Sequence, residues 1–101
     1  MEKYRIYQAI KEQGVVVVIR GKNVEQAIRT VDACYKGGIK IIEITFTVPN
    51  ADKIISSLSE KYAGSDMIIG AGSVLDPETA RIAMLAGAKF IVIPSLNVER
   101  T

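Results

Sequence analysis

The sequence predicts an α/β fold in which helices cover a parallel β-sheet. Four short apolar runs rich in β-branched residues alternate with helix-length stretches, and they lie at residues 15–19, 39–45, 67–69 and 90–93. Continuously apolar runs are typical of strands that are buried on both faces of a sheet. The runs recur about every 25 residues, which is the length of a βα unit with short connections. This order fits a doubly wound sheet or one side of a (β/α)8 barrel.

Helix start and stop signals lie between the predicted strands. Asparagine or aspartate precedes each of three predicted helices, and these side chains can accept hydrogen bonds from the free N–H groups of a first turn. The pairs are Asn23 before residues 24–36, Asn50 before residues 51–62, and Asp76 before a helix that begins at Pro77. Glycines at positions 37 and 87 are expected to end the first and third of these helices. A further helix is expected over residues 3–12.

The composition narrows the class of protein. The 101 residues are 49% hydrophobic and 24% charged, which is ordinary for one soluble globular domain. Thirteen basic and 11 acidic residues leave a net charge of +2, and their scattered positions predict no binding to nucleic acid or to a membrane surface. No apolar run reaches the roughly 18 residues that span a bilayer, and no signal peptide is evident. We therefore expect a cytoplasmic protein, with the single cysteine, Cys34, in its core.

Histidine is absent from the chain. The commonest general base and the commonest metal ligand are therefore missing. A Ser-His-Asp triad and a Cys/His metal cluster cannot be built, and we expect no metal site. Any catalysis must use carboxylate, lysine, hydroxyl or backbone groups.

Glu43 is the leading candidate for chemistry because it interrupts the apolar run at residues 39–46. A buried carboxylate is costly unless it is paired or hydrogen-bonded, so a position that keeps one is a candidate for acid–base catalysis. Side chains alternate across a strand, which places Ile41, Glu43 and Thr45 on one face. The alternative is a surface glutamate on the polar face of an edge strand.

Further candidates lie at the carboxyl ends of the predicted strands, where α/β proteins bind ligands. Ser73 closes the glycine-rich segment 70–73, which follows the third predicted strand and lets backbone amides approach a ligand. A tight strand exit is the alternative interpretation of this segment. Ser95 follows the fourth run and Arg20 the first. For Arg20 the alternative is a solvated arginine in a loop.

Four ordered motifs resemble the 2-keto-3-deoxy-6-phosphogluconate (KDPG/KHG) aldolases. They are VVVIR at 16–20, GGIKIIEITFT at 37–47, IIGAGSVL at 68–75 and AGAKFIVIPS at 86–95. The resemblance covers essentially the whole chain. It implies a class I aldolase with a (β/α)8 barrel of the TIM type. Residues 1–101 would then be the N-terminal half of that single domain, with a leading helix and the first four βα units.

The resemblance also implies roles for individual residues. Glu43 matches the family's glutamate, which shuttles protons during carbinolamine formation and the carbon–carbon step. Ser73 stands where the family usually has a threonine that contacts the substrate carboxylate, and Pro94 and Ser95 match a strand-end segment that lines the substrate site. Thr47 departs from members that place a carboxylate-binding arginine there. We hypothesise that Arg20 supplies that guanidinium instead, because a planar fork binds a carboxylate bidentately.

The implied reaction is the reversible cleavage of 2-keto-3-deoxy-6-phosphogluconate, or a related 2-keto acid, into pyruvate and an aldehyde. It proceeds through a lysine Schiff base and requires no metal or organic cofactor. In the family the lysine and the phosphate-binding loops belong to the second half of the barrel, so the 101-residue chain is expected to be inactive by itself. Lys40 and Lys89 open their strands at the wrong end to replace that lysine. The family resemblance also implies a homotrimer.

Two alternatives remain open. The chain could be a non-catalytic half-barrel that self-associates, because an open parallel sheet leaves two unpaired edges. It could also belong to another barrel enzyme that acts on small phosphorylated acids or sugars, with Glu43 serving an isomerase or epimerase.

Overall fold

The computed structural model describes residues 5, 6, 8, 12, 17–20, 23–47 and 50–94. Within these ranges strands and helices alternate along the chain. In order they are β1 (Val17–Ile19), α1 (Val24–Lys36), β2 (Ile41–Thr45), α2 (Ala51–Lys61), β3 (Ile68–Gly72) and α3 (Pro77–Ala86). Arg5, Ile6, Gln8 and Glu12 are also helical, in agreement with the predicted leading helix. None of the helices in the described ranges is long and apolar enough to cross a membrane.

The strands form a parallel sheet in the order β1-β2-β3. β2 lies in the centre, and its Glu43 pairs with Val18 on one side and with Gly70 on the other. This arrangement confirms the predicted α/β class with parallel strands. Consecutive strands are neighbours in space, so the crossover helices connect adjacent positions throughout the described sheet.

The fourth predicted strand, at residues 90–93, continues the sheet beyond β3 through a single parallel bridge between Ala71 and Ile91. The Ala71 N–H donates to the Phe90 carbonyl at 2.9 Å, and the Val92 N–H donates to the Ala71 carbonyl at 2.8 Å. The backbone of this segment therefore follows β3, although within residues 90–94 only Ile91 forms a β-bridge.

The two faces of the sheet bury different residues. One face packs on the helices and forms the main core together with Val31, Ile54 and Leu58. Its strand residues are Ile19, Ile42, Ile44, Ile69 and Ala71. The opposite face, which we call the Glu43 face, carries a smaller cluster of Ile6, Ile41 and Ile68 with Phe90 packed against it. Because Ile41 and Ile68 begin their strands, the leading helix contacts this face at the amino-terminal edge of the sheet.

The helix caps agree with the sequence at two of three positions. Asn23 Oδ1 accepts from the Gln26 N–H at 2.8 Å, and Asp76 Oδ1 accepts from the Thr79 N–H at 2.7 Å. The predicted cap by Asn50 is wrong, because Asn50 has a left-handed backbone with φ of 65° and its side chain makes no capping bond. A capping side chain needs the extended backbone that Asn23 and Asp76 adopt.

The structure corrects the predicted carboxyl end of the third strand. The sequence predicted that it ends at Ile69 and that the glycine-rich segment follows it, but β3 continues through Gly72. Glycine is a poor strand former, yet here the ladder with β2 extends as far as the pair Thr45–Gly72. Gly70 and Gly72 therefore lie within the sheet rather than in a loop, and only Ser73 leaves it.

Candidate active site

Glu43 occupies the middle of β2 and points away from α1, α2 and α3. Its neighbours Ile42 and Ile44 are completely buried in the main core, so alternation along the strand places Glu43 on the opposite face. The carboxylate was expected in a dry interior, but the residue is half-buried. The physical reason is that Ile6 clusters with Ile41 at the amino-terminal start of β2, whereas Glu43 lies further along the strand.

The Glu43 carboxylate lies directly against the backbone of Gly72. A Cβ atom built on Gly72 would overlap Oε2 and Cδ of Glu43 and would lie 2.7 Å from its Cγ. The side chain therefore crosses from β2 to β3 and occupies the space that any other residue at position 72 would fill. This contact brings the carboxylate to the residue that immediately precedes Ser73, at the carboxyl edge of the sheet.

Ser73 has a backbone conformation that is unusual for a residue with a side chain. Its φ is 56°, in the left-handed region, which carries an energetic cost for residues other than glycine. The flanking backbone is held by the Phe46 N–H, which donates to the Gly72 carbonyl at 2.9 Å, and by the Val74 N–H, which donates to the Val92 carbonyl at 3.2 Å. Outliers of this kind are concentrated at functional sites, which supports the prediction that Ser73 belongs to the site.

Thr47 lies two residues beyond β2 and is exposed. Its hydroxyl is 3.0 Å from the hydroxyl of Thr45, and its N–H donates to the same Thr45 oxygen at 3.3 Å. Thr45 is 1% exposed, so its hydroxyl is satisfied by this local pair. The structure therefore places Thr47 near the carboxyl edge of the sheet, with its hydroxyl paired to that of Thr45.

Arg20 follows β1 directly and is exposed. Since Val18 pairs with Glu43, alternation from Val18 places Arg20 on the Glu43 face at the same edge. Arg20 therefore follows the strand that lies beside the Glu43 strand. Pro94 is exposed beyond the bridge residue Ile91, and Ser95 lies outside the described residues.

The lysine that opens β2 is engaged at the opposite edge. Lys40 Nζ is 2.8 Å from Asp66 Oδ2, and the hydroxyl of Tyr35 donates to Asp66 Oδ1 at 2.7 Å. The hydrogen bond with Asp66 raises the pKa of Lys40 above its ordinary value. An amine must be neutral to attack a carbonyl, so this environment disfavours Lys40 as a nucleophile, as the sequence predicted.

Gly72 is a site residue that sequence reasoning missed. The available signal was the spacing of Gly70 and Gly72, because glycines two apart in a strand share a face and often mark a close approach of another group. The sequence predicted that both glycines follow the third strand, and the spacing rule applies only within a strand. Their register with β2 was needed to identify Glu43 as the group that approaches.

A sequence profile of the family described as KDPG and KHG aldolase matches residues 6–100. The chain belongs to this family. Among curated KDPG/KHG aldolases, it is 36% identical over 92 residues to the 2-dehydro-3-deoxy-phosphogluconate aldolase of Treponema pallidum, a match covering 91% of the chain and 43% of the relative. It is 33% identical over 83 residues to the KHG/KDPG aldolase of Escherichia coli, covering 82% of the chain and 38% of that relative.

A solved KDPG aldolase has the same fold over most of the chain. The crystal structure of the Legionella pneumophila enzyme, with pyruvate captured as a covalent carbinolamine intermediate, superposes with a TM-score of 0.74 at 32% identity. The match covers 81% of the chain and 39% of that protein. The chain thus spans less than half the length of the KDPG/KHG aldolases it matches, and the resemblance that the four motifs carry is confirmed.

Proposed function

We propose that the full-length protein is a class I aldolase that reversibly cleaves 2-keto-3-deoxy-6-phosphogluconate, or a related 2-keto acid, to pyruvate and an aldehyde. The observation that carries this proposal is the Glu43 carboxylate, which lies against Gly72, the residue that precedes Ser73, at the carboxyl edge of the sheet. Membership in a family of named aldolases supports the reaction class. The Schiff-base lysine belongs to the part of the barrel beyond this segment.

In the proposed mechanism the lysine amine adds to the keto carbon, and the resulting carbinolamine loses water to give an iminium ion. The bond between C3 and C4 then breaks, and its electron pair moves toward the iminium nitrogen to leave an enamine. Glu43 delivers a proton to the departing carbinolamine oxygen and removes the proton of the C4 hydroxyl as the aldehyde forms. Protonation of the enamine carbon and hydrolysis of the imine release pyruvate. One carboxylate that alternates between acid and base can serve these steps.

The substrate carboxylate is proposed to bind at the edge defined by Arg20, Thr47 and Ser73. The guanidinium supplies two parallel donors, and each hydroxyl supplies one. Pro94 and Ser95 would complete the wall of the site. The exposure of Arg20 and Thr47 at the end of their strands supports this arrangement, because both donors are accessible to a ligand that enters from that edge.

Residues 1–101 are proposed to form the N-terminal half of a (β/α)8 barrel. The strictly sequential order of β1, β2 and β3, followed by the bridge to Ile91, supports a barrel over a doubly wound sheet, in which the strand order reverses at a switch point. We further propose a cytoplasmic homo-oligomer, a trimer by family resemblance. Large exposed apolar side chains support association, and they include Leu75, Met84, Leu85 and Ile93.

Borohydride reduction in the presence of pyruvate tests the proposed chemistry. The full-length protein should acquire a stable adduct of one pyruvate, because reduction converts the imine to a secondary amine that no longer hydrolyses. Mass spectrometry of the intact protein measures the adduct, and omission of pyruvate is the control. A full-length protein that forms no adduct would exclude the Schiff-base mechanism and leave the self-associating half-barrel or a different barrel enzyme.

A further inference from the structure

Two glycines of β3 lie on the Glu43 face and accommodate different neighbours. Their spacing of two places both on the face that carries Glu43, and the register pairs Glu43 directly with Gly70. A Cβ built on Gly70 would overlap Cε1 and Cζ of Phe90 and would lie 2.5 Å from its Cδ1. The Phe90 ring therefore fills the space above Gly70, and the Glu43 carboxylate fills the space above Gly72.

The Glu43 carboxylate does not lie over Gly70, the residue with which Glu43 pairs in the sheet. Glu43 pairs with Gly70, yet its carboxylate lies over Gly72, two residues nearer the carboxyl edge of the sheet. Because Phe90 already occupies the space over Gly70, the side chain extends along the strand direction and not straight across. The missing side chain at position 72 is what makes that extended arrangement possible.

We propose that Gly72 is a positioning residue for Glu43. It holds no substrate itself. It provides the free surface on which the carboxylate rests at the carboxyl edge, and a larger residue would push the carboxylate away from that edge. This inference rests on the proposed function for its catalytic consequence, but the contact between Glu43 and Gly72 can be tested without activity.

The contact is tested by a double-mutant cycle on thermal unfolding of the full-length protein. Gly72→Ala should lower Tm by about 2 °C or more, because the added methyl group overlaps Cγ of Glu43 as well as its carboxylate. Gly72→Ala should cause the same loss of Tm in a Glu43→Gln background, because glutamine keeps the shape of the side chain. The loss should disappear in a Glu43→Ala background, because alanine lacks the overlapping atoms. An equal loss of Tm in all three backgrounds would overturn the proposal. The fraction of chain resistant to limited proteolysis gives the same comparison where melting is not cooperative.

Gly70→Ala provides the matched control. It lies on the same strand and the same face, but its added methyl group meets Phe90 rather than Glu43. Its destabilisation should therefore be unchanged by Glu43→Ala. A Gly70→Ala effect that depends on Glu43 as strongly as the Gly72→Ala effect does would contradict the assignment of separate neighbours.

A second cycle measures the catalytic consequence in the full-length protein. Gly72→Ala should lower kcat by about 10- to 100-fold with little change in KM, because small displacements of a catalytic group are costly. In a Glu43→Gln background, the same change should lower kcat by less than about threefold. Parent-like kcat in Gly72→Ala, or an equal fall in both backgrounds, would contradict the positioning role. An inactive parent would reject the proposed function instead, and the Tm cycle would still decide the contact.

Discussion

Replacing Ser73 by glycine should remove a ligand contact while leaving the fold at least as stable. Ser73 has φ of 56°, and a left-handed conformation costs about 1–2 kcal/mol in a residue with a side chain. Glycine relieves that cost but loses about 0.4–1 kcal/mol through greater freedom of the unfolded chain. The net expectation is a gain of about 0–1.5 kcal/mol, and 1 kcal/mol corresponds to roughly 2–4 °C in Tm for a domain of about 150–250 residues.

The same substitution should weaken binding of a keto acid. Loss of one hydrogen bond to a charged carboxylate costs about 1.5–3 kcal/mol, which corresponds to roughly a 10- to 150-fold rise in Kd. Ser73→Ala separates the two effects, because alanine removes the hydroxyl but keeps the strained backbone. It should lose affinity as Ser73→Gly does and should gain no stability.

Thermal melting and pyruvate titration of the full-length protein measure the two quantities on the same samples. A Ser73→Gly variant that melts well below the parent would show that the side chain does not strain the left-handed backbone. Unchanged affinity in both Ser73 variants would refute a ligand role for the hydroxyl.

Three further outcomes are expected. Arg20→Ala in the full-length protein should raise KM for keto acids about 10- to 150-fold, since a charge-assisted bond contributes about 1.5–3 kcal/mol. Bonds from Lys61, at 2.5 Å, and from Tyr62 lower the pKa of Asp32. The stability they provide above pH 3.8 should be lost on acidification through the lower folded pKa, and Asp32→Asn should flatten that part of a Tm–pH curve. Burial and the bond to Asp32 raise the pKa of Tyr62 to about 12, so the stability present below pH 10 should be lost between about pH 10 and 12. Tyrosinate absorbance measures the ionisation, and Tm measures the loss of stability.

Each of these outcomes has a control in the same chain. Arg81→Ala changes an exposed arginine on α3 and should leave KM unchanged, and a parent-like KM in Arg20→Ala would refute the guanidinium swap. Asp66 and Asp76 also have lowered pKa values, so only the difference between parent and Asp32→Asn reports Asp32. The hydrogen bond to Asp66 also raises the pKa of Tyr35, so only the difference between the titrations of the parent and of Tyr62→Phe reports Tyr62. An alkaline titration that Tyr62→Phe leaves unchanged would contradict the assignment.

The sequence predicted the parallel sheet because its signals are local and periodic. Apolar runs identified the strands, and Asn23 and Asp76 identified two helix starts, since a capping side chain needs only its own next turn. The boundary of β3 was not predicted, because it depends on partners distant in sequence. Gly70 and Gly72 remain in the strand since β2 supplies their hydrogen bonds and since Phe90 and Glu43 fill the space above them.

The candidate site was predicted as a set of strand ends, and its internal geometry was not. Because side chains alternate along a strand, the sequence alone places Ile42 and Ile44 on one face and Glu43 on the other. The degree of burial of Glu43 could not be predicted, because that depends on what covers the Glu43 face. The left-handed backbone of Ser73 likewise has no sequence signal, since serine rarely adopts that conformation.

Proton exchange at the methyl group of pyruvate tests the role of Glu43 most directly. NMR in deuterium oxide measures the rate at which the full-length protein incorporates deuterium into pyruvate. The Glu43→Gln variant should exchange about 100- to 10,000-fold more slowly than the parent, which is the usual contribution of a positioned acid–base group. Borohydride should still trap its pyruvate adduct on prolonged incubation, although more slowly, because Glu43 also assists dehydration of the carbinolamine. Parent-like exchange in Glu43→Gln would contradict the account.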